Sequence, residues 1–135
     1  MAAVLCQLGG RFSRCLNAPR HSCQYCGRSF CEAHSYWAEG HDAVCDRKRC
    51  RLKRDDLAAH TAYRDGVTRR NRSGRCGLVD CETRGTFECS LCQGHFCDSH
   101  LATRMYTFRD GWSSVDRPVS ICLHCWARRK VWRRR

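Results

Sequence analysis

The sequence predicts a small, metal-stabilised α+β protein made of two tandem units, each ending in a helix. The first observation is that the chain contains 14 cysteines in 135 residues. The second is that the pattern C-x7-C-x2-C-x4-C-x2-H occurs twice, beginning at Cys15 and at Cys81, which indicates a duplicated unit. The third is that aliphatic residues are sparse, and two units of about 60 residues each cannot fold on a small apolar core alone.

The residues of the repeat are typical zinc ligands. In each unit one further cysteine precedes the pattern and two follow it, so each unit offers seven cysteines and one histidine. Tetrahedral zinc takes four such ligands, so we expect two ions in each unit and four in the chain, with no cysteine left over. The predicted ligands are Cys6, Cys15, Cys23, Cys26, Cys31, His34, Cys45 and Cys50 in the first unit, and Cys76, Cys81, Cys89, Cys92, Cys97, His100, Cys122 and Cys125 in the second.

Two other uses of cysteine fit the pattern less well. Disulfide frameworks are typical of small secreted proteins, but residues 1–10 have neither a basic segment nor an apolar stretch of the kind found in signal peptides. The C-x2-C and C-x2-H spacings favour a metal site, and iron–sulfur clusters prefer all-thiolate ligand sets. We therefore expect an intracellular protein in a reducing compartment, the cytoplasm or the nucleus, and not a secreted one.

Basic residues dominate the charge, and arginine far outnumbers lysine. Thiolate ligands and four Zn²⁺ ions lower the formal net charge of +12 to about +6. The planar guanidinium group suits phosphate, so clustered arginines predict contacts with a nucleic-acid backbone, whereas a solvated helix face with a frayed tail is the alternative. The predicted contact residues are Arg47, Lys48, Arg49, Arg51, Lys53, Arg54, Arg69, Arg70, Arg72, Arg75, Arg128, Arg129, Lys130, Arg133, Arg134 and Arg135.

The elements of the first unit, residues 1–66, follow from local signals. Gly27 directly follows the second cysteine of its C-x2-C knuckle, where a positive φ is often needed, whereas Gly94 comes one residue later in the second unit. An aromatic residue precedes the C-x2-H segment in both units, and we expect Phe30 and Phe96 to be core residues. Apolar periodicity predicts a helix over residues 46–64, capped by Asp46 and ended at residues 65–66.

A polar, basic linker is predicted over residues 67–75, mobile unless a partner orders it. In the second unit, residues 76–135, alternation predicts a β-hairpin of residues 105–109 and 112–115 with a turn at Asp110-Gly111, placing Tyr106 and Phe108 on one face. The corresponding interval of the first unit is shorter, so this hairpin is predicted to be special to the second. A final helix is predicted from Cys122, with His124 pointing outward. No stretch approaches the roughly 18–20 apolar residues of a membrane-spanning helix.

The segment HSCQYCGRSFCEAHSYWAEGHDAVC, from His21 to Cys45, resembles an AN1-type zinc finger and is similar to the core of FYVE domains. In the second unit, ECSLCQGHFCDSH matches only the central block. Both families are treble-clef-like domains with two cross-braced zinc ions. The resemblance therefore implies the sets Cys6, Cys15, Cys31 and His34; Cys23, Cys26, Cys45 and Cys50; Cys76, Cys81, Cys97 and His100; and Cys89, Cys92, Cys122 and Cys125.

The sequence leaves open both the pairing of the ligands and the last ligand of the first unit. Spacing alone also allows a sequential pairing of the same residues. The AN1 pattern would use His41 with Cys45 and leave Cys50 free, but we favour Cys50 because the second unit ends with two cysteines. The FYVE resemblance gives little support to phosphoinositide binding, since the run Arg20-His21-Ser22-Cys23-Gln24 keeps one histidine and lacks the arginine after the cysteine.

These observations favour a non-catalytic binding protein. Every predicted zinc site closes with four protein ligands, whereas catalytic zinc keeps an open position, and the chain has no H-E-x-x-H motif. We expect nucleic-acid binding, RNA slightly favoured over DNA, for example in a ribonucleoprotein such as the ribosome. Bases could stack on Tyr106, Phe108, Trp112, Trp126 and Trp132, whereas packing in a small core is the alternative for each and is favoured for most of them. The alternative is an AN1-like adaptor for protein partners, ubiquitin- or chaperone-related, with an apolar patch around Tyr36, Trp37 and Trp112.

Overall fold

The structure, a computed structural model, describes residues 4–10 and 13–132. Within this part of the chain it contains two α-helices and four two-stranded antiparallel sheets, which confirms the predicted small α+β class. The chain divides into two compact units, residues 1–57 and 58–135. The predicted nucleic-acid contacts Arg133, Arg134 and Arg135 lie outside the described residues.

The first unit consists of short strands and one 3-10 helix, with the cysteines in or between them, followed by a long helix. A 3-10 helix, Glu32–His34, separates two small sheets. The strands are β1 (His21–Ser22) paired with β2 (Ser29–Phe30), and β3 (Ser35–Glu39) paired with β4 (Asp42–Cys45); helix α1 (Lys48–Arg72) follows them.

The second unit repeats this order with a longer second hairpin. A 3-10 helix, Asp98–His100, again separates the two sheets. The strands are β5 (Phe87–Glu88) paired with β6 (His95–Phe96), and β7 (Leu101–Asp110) paired with β8 (Ser113–Cys122); helix α2 (Leu123–Trp132) follows them.

Each unit has a small core in which cysteines form a large share. Phe30 is 0% exposed and Phe96 is 1% exposed, so the prediction that both are core residues is confirmed. The buried non-cysteine residues that cluster with the cysteines are Leu8, Phe30, Ala43 and Val44 in the first unit, and Val67, Phe96, Val119 and Ile121 in the second.

The prediction that a hairpin is special to the second unit is wrong. Strands β3 and β4 form a shorter hairpin at the same place in the first unit, and Gly40 (φ 59°) and Gly111 (φ 60°) occupy the two turns. The register of β3 shifts between Ser35 and Trp37, which interrupts the alternation that would have revealed the strand. The turn of the second hairpin is also one residue later than predicted, because Asp110 pairs with Ser113.

The helix end predicted at residues 65–66 is wrong as well, since α1 continues to Arg72 and includes residues 67–72 of the predicted linker. Val67 is buried in the core of the second unit, and the Asn71 side chain donates to the carbonyl oxygens of Arg75 and His95, each at 2.9 Å. These contacts outweigh the cost of about 1 kcal/mol that a glycine imposes inside a helix. The helix ends at Arg72, and Gly74 beyond it has a φ of 77°, which is typical of the residue that follows a helix C-terminus.

Smaller differences concern helix starts and His124. Helix α1 begins at Lys48 and not at Asp46, and α2 begins at Leu123 and not at Cys122. His124, predicted to point outward, stacks on Tyr63 with ring centroids 3.8 Å apart. Among the described residues, no helix is both long and apolar enough to cross a membrane.

Candidate metal centres

The sixteen side chains predicted as ligands come together in four groups of four, each of which could hold a metal ion. Within each group the candidate ligand atoms all lie within 4.8 Å of one another. Each unit has one histidine-containing group and one all-cysteine group. The histidine-containing groups are Cys6, Cys15, Cys31 and His34, and Cys76, Cys81, Cys97 and His100; the all-cysteine groups are Cys23, Cys26, Cys45 and Cys50, and Cys89, Cys92, Cys122 and Cys125. These are the cross-braced sets, and a sequential pairing does not occur among the described residues.

In both histidine-containing groups, a single turn of 3-10 helix brings a thiol and an imidazole together. The backbone N–H of His34 donates to the carbonyl oxygen of Cys31 at 3.1 Å, and His100 bonds to Cys97 in the same way at 3.1 Å. As a result the histidine Nδ1 lies 3.3 Å from Cys31 Sγ in the first unit and 3.1 Å from Cys97 Sγ in the second. The C-x2-H spacing thus produces the same local geometry twice.

The all-cysteine groups combine a knuckle with the junction of a strand and a helix. Cys45 and Cys122 are the last residues of β4 and β8, whereas Cys50 and Cys125 lie in the first turns of α1 and α2. In the first unit the knuckle closes with a bond from the Gly27 N–H to the Cys23 carbonyl oxygen at 2.9 Å.

The knuckle of the second unit places a different residue in the left-handed region. Gly27 has the expected positive φ, 74°, but the equivalent residue is Gln93, with a φ of 61°. Gly94 serves another purpose: a β-carbon there would lie 2.6 Å from Val67 Cγ1, so only glycine allows this close packing. The different glycine offsets in the sequence therefore reflect different constraints.

Distances between ligand atoms match a tetrahedral metal site. With metal–sulfur bonds of about 2.3 Å, the sulfur atoms of a tetrahedral zinc site lie about 3.8 Å apart, and a sulfur and a nitrogen about 3.6 Å apart. Disulfide sulfurs would lie only about 2.0 Å apart, and all fourteen cysteines are free. The observed Sγ–Sγ distances are 3.7 Å for Cys15 and Cys31, 3.8 Å for Cys26 and Cys45, 3.9 Å for Cys81 and Cys97, and 4.0 Å for Cys92 and Cys122. The Sγ–Nδ1 distance is 3.5 Å both for Cys6 and His34 and for Cys76 and His100, whereas the two pairs within a C-x2-H segment are closer, at 3.3 and 3.1 Å.

The structure places Cys50, and not His41, among the candidate ligands of the first unit. Cys50 is 3% exposed and lies with three other cysteines. His41 is exposed in the turn between β3 and β4 and belongs to none of the four groups found among the described residues.

Hydrogen bonds from outside the groups reach several sulfur atoms. The Asn17 amide donates to Cys31 Sγ at 3.5 Å and, with His34, lowers the pKa of this thiol to about 6 despite its desolvation. In the second unit the Tyr63 hydroxyl donates to Cys122 Sγ at 3.2 Å. Burial and this bond raise the pKa of Tyr63, so the phenol stays a donor. Bonds of this kind stabilise thiolates and orient ligands. Sequence reasoning missed both residues, since neither has a spacing that relates it to its cysteine.

The predicted basic contact residues have two different environments. Some are held by the protein itself: Arg70 donates to the carbonyl oxygens of Cys76 and Cys81, Arg75 pairs with Glu82 at 3.4 Å, and the Arg54 guanidinium lies 4.3 Å from the centroid of the Trp37 ring. Others are exposed on the helices, namely Lys48, Arg49, Arg51, Arg69, Arg72 and Lys130. Arg47, Lys53, Arg128 and Arg129 are half-buried.

No protein-family model, no curated protein and no solved structure matches this chain. The resemblance to AN1-type and FYVE domains therefore rests on the sequence segments alone and stays a prediction.

Proposed function

We propose that the chain is a non-catalytic protein that binds four zinc ions and uses the resulting scaffold to bind nucleic acid, RNA in preference to DNA. The donor sets support zinc: tetrahedral groups with three or four thiolates and at most one imidazole are typical structural zinc sites. Thiolate ligands of this kind persist in a reducing environment, which is consistent with an intracellular location.

A structural role for the zinc is supported by the completeness of each group. Four protein donors satisfy a tetrahedral ion, and a substrate or an activated water would need a fifth position. The order knuckle, hairpin and helix, which occurs in both units, supports a treble-clef-like fold for each.

The observation that best supports nucleic-acid binding is the set of exposed basic side chains on the two helices. Exposed arginines and lysines lie along α1 and on α2, and a net charge of about +6 remains once zinc and thiolates are counted. A surface of this charge attracts phosphate backbones. Exposed aromatic residues in the second unit favour single-stranded RNA over a duplex, because bases that are not paired offer faces for stacking.

The test is a salt titration with purified, nuclease-treated protein loaded with zinc. Labelled single-stranded RNA and DNA of the same sequence are titrated by fluorescence anisotropy between about 50 and 200 mM salt, and log Kd should rise linearly with log salt by about 0.7 per phosphate contacted. Negligible affinity for both polymers at the lowest salt concentration would overturn the proposal.

An adaptor for protein partners is the second candidate, and Trp112 favours it. This side chain is fully exposed at the turn of the long hairpin, and Tyr36 is 42% exposed in the first unit. Trp37, the third member of the predicted patch, is half-buried under Arg54 and contributes less. A pull-down with and without nuclease separates the candidates, since partners of an adaptor are retained after nuclease treatment.

A further inference from the structure

A groove on the second unit runs between strand β7 and helix α2. It has a volume of about 660 Å³, and its lining includes Tyr106, Phe108, Arg109, Trp126, Arg129 and Trp132. A second cavity of about 210 Å³ shares Tyr106, Arg129 and Trp132 with it and adds Arg128. The two cavities therefore adjoin, and their shared lining consists of aromatic and cationic side chains.

Two of the aromatic side chains that line the groove are partly exposed, whereas Tyr106 and Trp126 pack against the core. Phe108 is 36% exposed and Trp132 is 37% exposed, and the rings of Tyr106 and Phe108 lie 5.1 Å apart on one face of β7. The hairpin that carries them has two strands of 10 residues each, most of them exposed. The base of the hairpin packs on the core of the second unit, whereas most residues beyond Tyr106 are exposed. Because a two-stranded hairpin alone is only marginally stable in water, this exposed part offers a surface for a partner.

The charges of the groove are complementary to phosphate. The guanidinium of Arg129 lies 3.8 Å and that of Arg104 lies 4.9 Å from the centroid of the Trp126 ring. The Nε atom of Arg129 is buried and makes no hydrogen bond within the protein. Within residues 4–10 and 13–132, neither Arg109 nor Arg129 forms an ion pair. The buried Nε is closed to a ligand, but neither positive charge is balanced by an ion pair, so the two guanidinium groups can attract an anionic ligand.

We propose that this groove binds single-stranded RNA, with bases stacked on Phe108 and Trp132 and phosphates held by Arg109 and Arg129. The inference rests on the proposed function and names the surface that performs it. Aromatic platforms beside a basic track are the general solution for binding unpaired strands without sequence preference, since every base has a face that stacks. A protein partner would need anionic and apolar side chains in alternation to match the same surface.

The test compares Phe108→Ala with Phe87→Ala in the zinc-loaded full chain. Phe87 is 52% exposed in the same unit and does not line the groove, so it is a matched control. Loss of one stacked base should weaken the affinity for a labelled single-stranded RNA by roughly 5- to 100-fold, whereas Phe87→Ala should change it less than about twofold. Phe108→Tyr, which keeps an aromatic ring, should bind as the parent does.

Two variants that each remove one positive charge test the phosphate contacts independently. Arg129→Gln should reduce the slope of log Kd against log salt by about 0.7, as expected for one lost contact with a single strand. Arg84→Gln makes the same charge change at an exposed position of the second unit outside the groove, and the slope should stay as in the parent. Native mass spectrometry of each variant, with four zinc ions retained, shows that the fold is intact.

The outcomes separate the two proposals. If the parent protein binds RNA but Phe108→Ala and Phe87→Ala have the same affinity for it, the groove is not the binding site and the proposed function stands. If the parent protein binds no RNA, the proposed function itself fails. Tighter binding to duplex RNA than to a single strand, or a protein partner that is retained after nuclease and lost only in Phe108→Ala, would also overturn the groove as a site for unpaired RNA.

Discussion

The two units have the same arrangement of candidate ligands but differ in the hairpin between the third and fourth ligand pairs. The interval from His34 to Cys45 is half as long as that from His100 to Cys122, yet both intervals return the chain to an all-cysteine group. Local turns around each ligand pair set the geometry of the groups, and the hairpin between them varies in length without disturbing it. The second unit therefore has a projecting surface that the first lacks, and the groove lies there.

The cores of the two units are alike in containing few buried apolar side chains besides the cysteines. Among the described residues, four non-cysteine side chains are buried with the candidate ligands in each unit, and those of the first unit include one aromatic and one alanine. Such small apolar cores offset little of the conformational entropy of folding. The proposed binding of four zinc ions therefore implies that both units depend on metal for their stability.

Removal of metal should have the largest effect, and it tests whether the two units are equally dependent. A strong chelator removes about 10–16 kcal/mol of binding free energy per structural zinc site, which exceeds the net stability of most domains. We expect both units to unfold, with loss of far-UV circular dichroism and of dispersed amide resonances. A spectrum unchanged by chelation would contradict a metal-dependent fold. Loss of resonances from one unit alone would show that the two units do not depend equally on metal.

Removal of the last ligand of each unit should cost one ion. Cys50→Ala and Cys125→Ala change equivalent positions in the first turns of α1 and α2, so each variant should retain three zinc ions by native mass spectrometry. His41→Ala is the control and should retain four. A lost ion in His41→Ala, with four retained in Cys50→Ala, would show that the two units end in different ligand pairs.

The hydrogen bond from Tyr63 tests a difference between the units. Tyr63→Phe removes a donor to Cys122 Sγ, and bonds to charged groups contribute about 1.5–3 kcal/mol. We expect faster transfer of zinc from the second unit to a chromophoric chelator, with the first unit unchanged. Tyr36→Phe is the matched control, because its hydroxyl donates to Asp55 at 2.6 Å and contacts no candidate ligand. Equal transfer rates in the two variants would show that the Tyr63 hydroxyl does not stabilise the metal centre.

The smallest effects concern the two knuckles, where substitutions at equivalent residues should have opposite signs. Gly27→Ala should destabilise the first unit by about 1–2 kcal/mol, because a side chain disfavours its φ of 74° although no atom lies within 4 Å of the new β-carbon. Gln93→Gly should stabilise the second unit by up to about 1 kcal/mol, since it relieves a φ of 61°.

Gly66→Ala provides the control for these knuckle variants. The new β-carbon meets no atom within 4 Å in the interior of α1, and alanine should stabilise the helix by about 1 kcal/mol. Thermal unfolding of the zinc-loaded proteins measures all three. A stabilising Gly27→Ala would show that the two knuckles do not share a backbone conformation.

The sequence predicted those features that depend on short spacings. The C-x2-C and C-x2-H turns, the aromatic core residues and the tyrosine–phenylalanine face of the long hairpin are local, and the structure contains each of them. Cross-bracing depends on packing between segments far apart in the chain, so the spacing left the pairing open. The Tyr63–Cys122 bond joins residues 59 positions apart. The helix continues past Gly66 because Val67, four residues after Tyr63, is buried in the same core. The helix-stop signal at Asp65-Gly66 concealed this continuation of the apolar spacing.

Cys50 and Cys125 lie in the first turns of the two helices, where they bring a candidate metal centre to each helix N-terminus. The N-terminus of a helix carries a partial positive charge and is ordinarily stabilised by acidic side chains. Both helices are fully described, and neither has an acidic residue in its first turn. With one zinc ion bound to four thiolates, as proposed, each all-cysteine group would carry a charge of about −2. The proposed centre would then supply the missing counter-charge and act as the electrostatic cap of the helix that follows it.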